Sequence, residues 1–219
     1  MQIKIISDTV CPWCFIGKRR FERALAMRPQ ENLQVIWQPY QLNPTMPTEG
    51  MERKSYLAAK FGGLERAERQ NERLCQTGSE EGLEFNFSAI KRTPNTINSH
   101  RLVHFAGLVG RQDAIVEALF SGYFFDGLDL GNLDVLIEIG TVNGLNRNEL
   151  ASYLRSDNER AQVLALDEKA RQEGITGVPC YVVDGKFAVS GAQSPEIFHQ
   201  IFELARQDSV ELTGQIAAE

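Results

Sequence analysis

Two stretches of β-forming residues lie at opposite ends of the chain, with a long helical middle between them. This more than anything limits how the chain can fold. Gln2–Ile6 alternates and is rich in β-branched residues, a strand pattern. Phe15, Ile16, Arg19, Phe21, Ala24, Leu25 and Met27 then recur near helical spacing, and Pro29 closes that helix. Leu33–Tyr40 reads as a second strand with Pro39 near its exit, and the proline-containing Asn43–Gly50 as a loop. After Gly174 the β pattern returns in Val178–Val183, the turn Asp184–Gly185 and Lys186–Ser190. Ser194 as N-cap and Pro195 in the first turn open a last helix, Ile197–Ala205, and the polar tail from Asp208 is predicted to fray.

The middle is different in kind. Met51–Leu74 is charged and amphipathic, Leu83–Phe87 reads as a short extended piece, and Thr93–Pro94 marks a break before a helix in Asn95–Val109. Arg111–Phe125, Leu133–Asn143, Arg147–Arg155 and Glu159–Glu173 follow as helices, with Gly144 and Gly174 near ends. Removing this block leaves β–α–β joined to β–β–α, the connectivity of a thioredoxin-like sheet. The predicted fold is therefore α/β: a thioredoxin-like βαβ–ββα sheet domain from residues 1–48 and 174–208, a large all-helical insertion over 49–173, and a tail over 209–219. No internal repeat or low-complexity tract is visible.

Composition removes several functions. Among 219 residues, Lys plus Arg number 23 and Asp plus Glu 29, a net charge of −6. Such a balance disfavours a phosphate-backbone binder, so no nucleic-acid partner is expected. No stretch reaches the ~18 apolar residues of a membrane span. Lys4 and Asp8 interrupt the first apolar run, so it does not read as a secretory signal, and the expected location is cytoplasmic. Four cysteines are too few for a disulfide scaffold. In a reducing compartment a close pair points to catalysis or metal binding.

Cys11-Pro12-Trp13-Cys14 sits where the first strand hands over to the first helix. A helix start presents unpaired N–H groups and the positive end of the dipole, which stabilise a thiolate. Cys11 is thereby expected to titrate below the ~8.5 of a free thiol and to act as the nucleophile. Pro12 suits a helix start because its missing N–H would have been unpaired there. Cys14, one turn inside, would resolve a mixed disulfide formed at Cys11. A zinc site would need Cys75, Cys180 or histidines as further ligands, and no second close pair exists, so no metal is expected. Far downstream, Thr176-Gly177-Val178-Pro179 precedes a strand, where a proline need not cost a ladder bond.

These residues resemble the DsbA-like thioredoxin family, and within it the FrnE-like branch. The likeness rests on Ser7-Asp8-Thr9-Val10-Cys11-Pro12-Trp13-Cys14-Phe15-Ile16-Gly17, on Pro94-Asn95-Thr96 with His100-Arg101-Leu102, and on Leu119-Phe120 with Tyr123-Phe124. It continues through Gly174-Ile175-Thr176-Gly177-Val178-Pro179, Asp184-Gly185 and Val189-Ser190-Gly191-Ala192-Gln193. It runs over nearly the whole chain. The resemblance implies protein-disulfide oxidoreductase chemistry through Cys11 and Cys14, tuned by Pro12 and Trp13. It also implies a cis Val178–Pro179 bond beside the cysteines, with the Val178 backbone turned to a substrate chain. Expected partners are protein or small-molecule thiols and disulfides. No tightly bound cofactor is implied, glutathione is the candidate redox partner or co-substrate, and a homodimer is compatible with the family. The superfamily is similar to 2-hydroxychromene-2-carboxylate isomerases and kappa-class glutathione transferases, where serine typically opens the motif. Cys11 at that position favours thiol redox chemistry, with a glutathione-dependent isomerase or transferase as the alternative. Cys180 departs from the FrnE-like pattern, in which an aromatic residue is commoner after the proline.

Other residues carry two readings each. Asn95, Thr96 and His100, at the start of a helix that the resemblance sets across a cleft from the cysteines, either orient a substrate or cap and fill the helix start. Asp8, three residues before Cys11, either takes the Cys14 proton or shapes the turn. His104 and His199 have no motif around them and read as structural. Cys75 and Cys180 read as free thiols, Cys180 beside the expected active site either modulating the redox pair or filling space, and a bond between the two stays open in the sequence.

Overall fold

The computed structural model describes the backbone of residues 1–216 and the side chains of residues 1–208. Strand β1 (Gln2–Ser7) is central. It pairs in parallel with β2 (Gln34–Pro39) and antiparallel with β5 (Cys180–Val183), which pairs with β6 (Phe187–Ser190). The sheet order is β2-β1-β5-β6, so the two distant β stretches do meet in one sheet. Asp184 and Gly185 both take positive φ (48° and 69°), as a tight hairpin turn requires.

Helix α1 (Pro12–Met27) and helix α9 (Pro195–Ile216) pack together on one face. Phe21, Tyr181, Phe198 and Phe202 bind them to β5, with ring centroids 4.7–6.3 Å apart. Helix α9 runs well past the predicted end at Ala205, because the polar residues beyond it hold no breaker before Gly214.

Between β2 and β5 the chain forms an antiparallel pair of two-residue strands, β3 (Met51–Glu52) and β4 (Arg92–Thr93), and helices α2 (Arg53–Phe61), α3 (Leu64–Glu80), α4 (Ile97–Gly107), α5 (Gln112–Phe124), α6 (Leu133–Val142), α7 (Arg147–Arg155) and α8 (Arg160–Gln172). The segment Met51–Leu74 is therefore not one helix. Gly62, left-handed at φ 70°, caps α2, and α3 starts after Gly63. The predicted extended piece Leu83–Phe87 joins no ladder.

The insertion clamps α1. Phe15 packs against Phe120, Phe125 and Phe85, with centroids 5.0, 5.5 and 6.2 Å away. Lys18, with a side chain only 2% exposed, is ringed by Glu22, Asp113 and Glu117. Burial pulls its pKa down, but the three carboxylates outweigh that and leave it raised. Arg19 pairs with Glu117, and Arg20 and Arg23 with Glu81 of the α3–β4 connection. The helix that carries the cysteines is thus fixed from both sides.

Candidate active site

Cys11 is the N-cap of α1, with extended backbone (φ −95°, ψ 111°), and Pro12 is the first helical residue. The Cys11 N–H donates to the Asp8 carbonyl and the Cys14 N–H to the Cys11 carbonyl, each at 3.0 Å. The two residues approach to 3.4 Å as free thiols. Cys11 is 3% exposed and Cys14 1%, whereas Trp13 between them is 43% exposed and stands on the rim. Burial, followed by the neighbouring Cys11, pushes the Cys14 thiol well above its usual range. The neighbouring Ser7 side chain and Asp8 backbone act the other way and lower it.

The Val178–Pro179 bond is cis. The Cys11 thiol donates to the Val178 carbonyl over 3.7 Å, so the loop before β5 touches the outer cysteine. Gly17 makes this approach feasible. A Cβ there would lie 2.6 Å from the Tyr181 hydroxyl and 2.9 Å from Pro179 Cγ. Helix interiors disfavour glycine by ~1 kcal/mol, so a glycine one turn after Cys14 was itself a signal of close approach. Tyr181 is fully buried beneath the pair. Burial and the two thiols push its phenol well above the usual range.

The other predicted residues divide. Asp8 and His100 come together: Asp8 Oδ1 lies 3.4 Å from His100 Nε2, with both side chains at least 96% buried. Asp8 Oδ2 accepts the Leu42 N–H at 2.7 Å. Its carboxylate is thus engaged by Leu42 and His100. Asn95 works as a clamp. Its Oδ1 accepts the Ile97 N–H of α4, and its Nδ2 donates to the Met46 carbonyl in the loop after β2. Thr96 is the N-cap residue of α4, yet its hydroxyl makes no cap bond, and its carbonyl accepts from Ser99 Oγ and the His100 N–H. Ser99 in turn meets Thr9 at 2.7 Å.

Cys180 points to the other face of the sheet, packed with Ile6, Tyr40 and Ala170, because side chains alternate along a strand and Tyr181 takes the cysteine side. Cys75 donates to the Phe85 carbonyl at 3.8 Å. Both are free, so no bond joins them. His104 faces Glu159 at 3.3 Å, and the His199 ring lies 3.0 Å from the Ala24 carbonyl.

Sequence reasoning missed Ser7 and a basic cleft beside Pro12. Val10, Pro12, Asn43, Arg53, Tyr56 and Lys60 line this cleft between α1 and the first insertion helix. Asn43 and Lys60 both donate to the Tyr56 hydroxyl, at 2.9 Å. Arg53 donates to Tyr123, whose burial raises its pKa to about 12. Only the tertiary fold brings these residues to the cysteines. Among the described residues, no cluster of three or more His, Cys, Asp and Glu is arranged to hold a metal. No described helix is long and apolar enough to cross a membrane.

Comparison with known proteins agrees with this geometry. The model of the DSBA-like thioredoxin domain matches residues 2–203. The crystal structure of a probable DsbA oxidoreductase from Streptomyces coelicolor is 32% identical, superposes with a TM-score of 0.87, and is matched over 94% of this chain and 90% of that one. The fold is shared with a 2-hydroxychromene-2-carboxylate isomerase (11% identity, TM-score 0.72, 97% and 99% coverage). It is also shared with the cytosolic disulfide reductase DsbM of Pseudomonas aeruginosa, solved with glutathione (17%, 0.63, 94% and 100%).

Proposed function

The chain belongs to the DSBA-like thioredoxin family, and on that premise we propose that it is a thiol–disulfide oxidoreductase working through Cys11 and Cys14. In the reducing direction the Cys11 thiolate attacks a substrate disulfide. One substrate sulfur leaves as a thiolate and takes a proton, and a mixed disulfide remains on Cys11. The Cys14 thiolate then attacks Cys11 Sγ, the Cys11–substrate bond breaks, and the second substrate sulfur leaves. Two electrons pass from the dithiol to the substrate, and the reverse sequence oxidises a substrate dithiol. The observation that carries this reading is the 3.4 Å approach of two free thiols, one of them at the start of a helix.

Pro12 and Trp13 tune the pair, Val178 and Pro179 receive the substrate chain, and Asp8, Asn95, Thr96 and His100 hold the loops around it. Glutathione is the small-molecule partner we favour. Its two carboxylates suit Arg53 and Lys60 in the cleft beside Pro12, whose six named lining residues include no acid. We further propose a cytoplasmic location and a functional division into a sheet domain and a helical insertion.

The experiment is reduction of insulin disulfides with glutathione as electron source, with single cysteine variants. Cys11→Ser should abolish turnover, and Cys14→Ser should accumulate substrate covalently on Cys11. Unchanged turnover in Cys11→Ser would overturn the proposal. The shared fold of the isomerase supports a second reading, glutathione-dependent isomerisation. Isomerase activity that survives Cys14→Ser would favour it.

A further inference from the structure

Behind the cysteine pair, between the ends of β1 and β2 and helices α4 and α5, Ser7, Thr9, Trp37, His100 and His104 surround a small cavity. It has about 20 Å³ for a water centre, room for one molecule. Buried polar groups collect around it. Of the lining residues, Trp37 Nε1 and His100 Nε2 have no hydrogen-bond partner among the described residues, and neither has Asp8 Oδ1 beyond His100. His100 and Asp8 face one another at 3.4 Å without hydrogen-bond alignment. Buried polar groups are rarely left unsatisfied, and a polar void of this size is where an internal water belongs.

Ser7 connects the cavity to the chemistry. It lines the cavity, and it neighbours Cys14, where it lowers the thiol's pKa against the effect of burial. At the outer end His104 lines the same space and lies 3.3 Å from Glu159 Oε2. The His104 and Glu159 side chains are 21% and 34% exposed, so the line of polar groups ends at solvent. Cys14 is 1% exposed, and its proton must leave before it can resolve a mixed disulfide.

We propose that the Cys14 proton leaves through the Ser7 hydroxyl and one cavity water to His100, held by Asp8, and reaches solvent by way of His104 and Glu159. This rests on the dithiol reading above. Ser7 accepts the Cys14 proton as it passes its own to the water, and His100 becomes an imidazolium against the Asp8 carboxylate. The Cys14 thiolate forms its bond to Cys11 Sγ as the Cys11–substrate bond breaks, and the substrate sulfur carries off the electron pair. The titratable groups facing His100 are Asp8 from the β1–α1 turn and His104 from its own helix. Glu159, before α8, acts through His104, and Tyr123 of α5 lies within electrostatic reach of Asp8. Ser7 relays the Cys14 proton and His100 receives it through the water, so both act on Cys14 and neither touches the substrate.

The test uses the reduced full chain in a Cys75→Ser background, which removes the partly exposed thiol. Mixing with dithiobis-nitrobenzoate releases one aromatic thiol when Cys11 attacks and a second when Cys14 resolves. The first release is the internal reference. We expect Ser7→Ala and His100→Gln each to lower the ratio of second to first rate at least tenfold at neutral pH. His100→Gln should also change the pH profile of the second release while leaving that of the first unchanged. Ratios and profiles matching the unmutated protein would overturn the route; if His100→Gln fails to fold, Ser7→Ala decides alone. Absence of the first release would instead take down the dithiol reading, and the route with it.

Discussion

The Cys11 thiol points at the carbonyl oxygen of Val178 across 3.7 Å, so the outer cysteine and the loop ahead of β5 meet although 167 residues separate them. Cys14 lies on the inner side of that contact. The asymmetry between the two thiols is what the account predicts from.

Reduced protein should alkylate unequally. Iodoacetamide followed by mass spectrometry should modify Cys11 ahead of Cys14, which reacts only as pH rises well beyond ~8.5. The same shift has a stability consequence. The folded pKa of Cys14 is raised, so its contribution is present below the unfolded value and lost as pH rises towards the folded one. Tyr181 behaves likewise from its ordinary value near 10 upward. Urea midpoints of the reduced protein should therefore fall on the alkaline side.

Gly17→Ala should destabilise, against helix propensity. Alanine is favoured over glycine by ~1 kcal/mol in an open helix. Here the added methyl meets Tyr181 and Pro179 inside 3 Å, an overpacking that costs about 1–3 kcal/mol. Tyr181→Phe in the same chain should recover part of the loss, because it removes the nearer clashing oxygen. Denaturant midpoints of the two variants and their combination check this.

Lys18→Met should loosen α1 from α5. The change leaves Glu22, Asp113 and Glu117 without the cation they surround. Since the carboxylates are partly exposed, a loss of about 2 kcal/mol is expected at pH 7. Burial pushes Glu117 up, but Arg19 and Lys18 outweigh it and hold its pKa low. Its contribution is present above ~4.3 and lost as pH falls towards the folded value. The stability difference between Lys18→Met and the unmutated protein should shrink across that acid range.

Arg101 is 1% exposed and donates to the carbonyls of Tyr153, Leu154, Ser156 and Asn158 at the end of α7. Arg101→Met should cost about 3 kcal/mol or more, because several buried acceptors lose their donor. Lysine should not rescue it, lacking the planar fork. Hydrogen exchange should quicken around residues 153–160.

The sheet was legible in the sequence because strand patterns and turn chemistry are local. Gln2–Ile6, the Asp184–Gly185 turn and the Ser194–Pro195 helix start each carry their own signal. So do the cysteine pair and its place at a helix start. The Gly62–Gly63 break was overlooked within an amphipathic pattern, and strands of two residues are too short to leave a period. Asp8 was placed beside Cys14 by spacing along the chain. Its partners, Leu42 and His100, come from segments that only the fold brings near. Ser7 looked like the end of a strand, and Arg53 and Lys60 looked like the solvated face of a helix.

The central claim is that Cys11 and Cys14 form one exchangeable redox couple. Equilibrating the protein with graded ratios of reduced and oxidised glutathione, then quenching with acid and mapping disulfides by mass spectrometry, tests it directly. The account predicts a single two-electron transition in which Cys11 and Cys14 interconvert between dithiol and disulfide while Cys75 and Cys180 stay outside it. No Cys11–Cys14 bond at any ratio, or a bond that engages Cys75 or Cys180 instead, would contradict it.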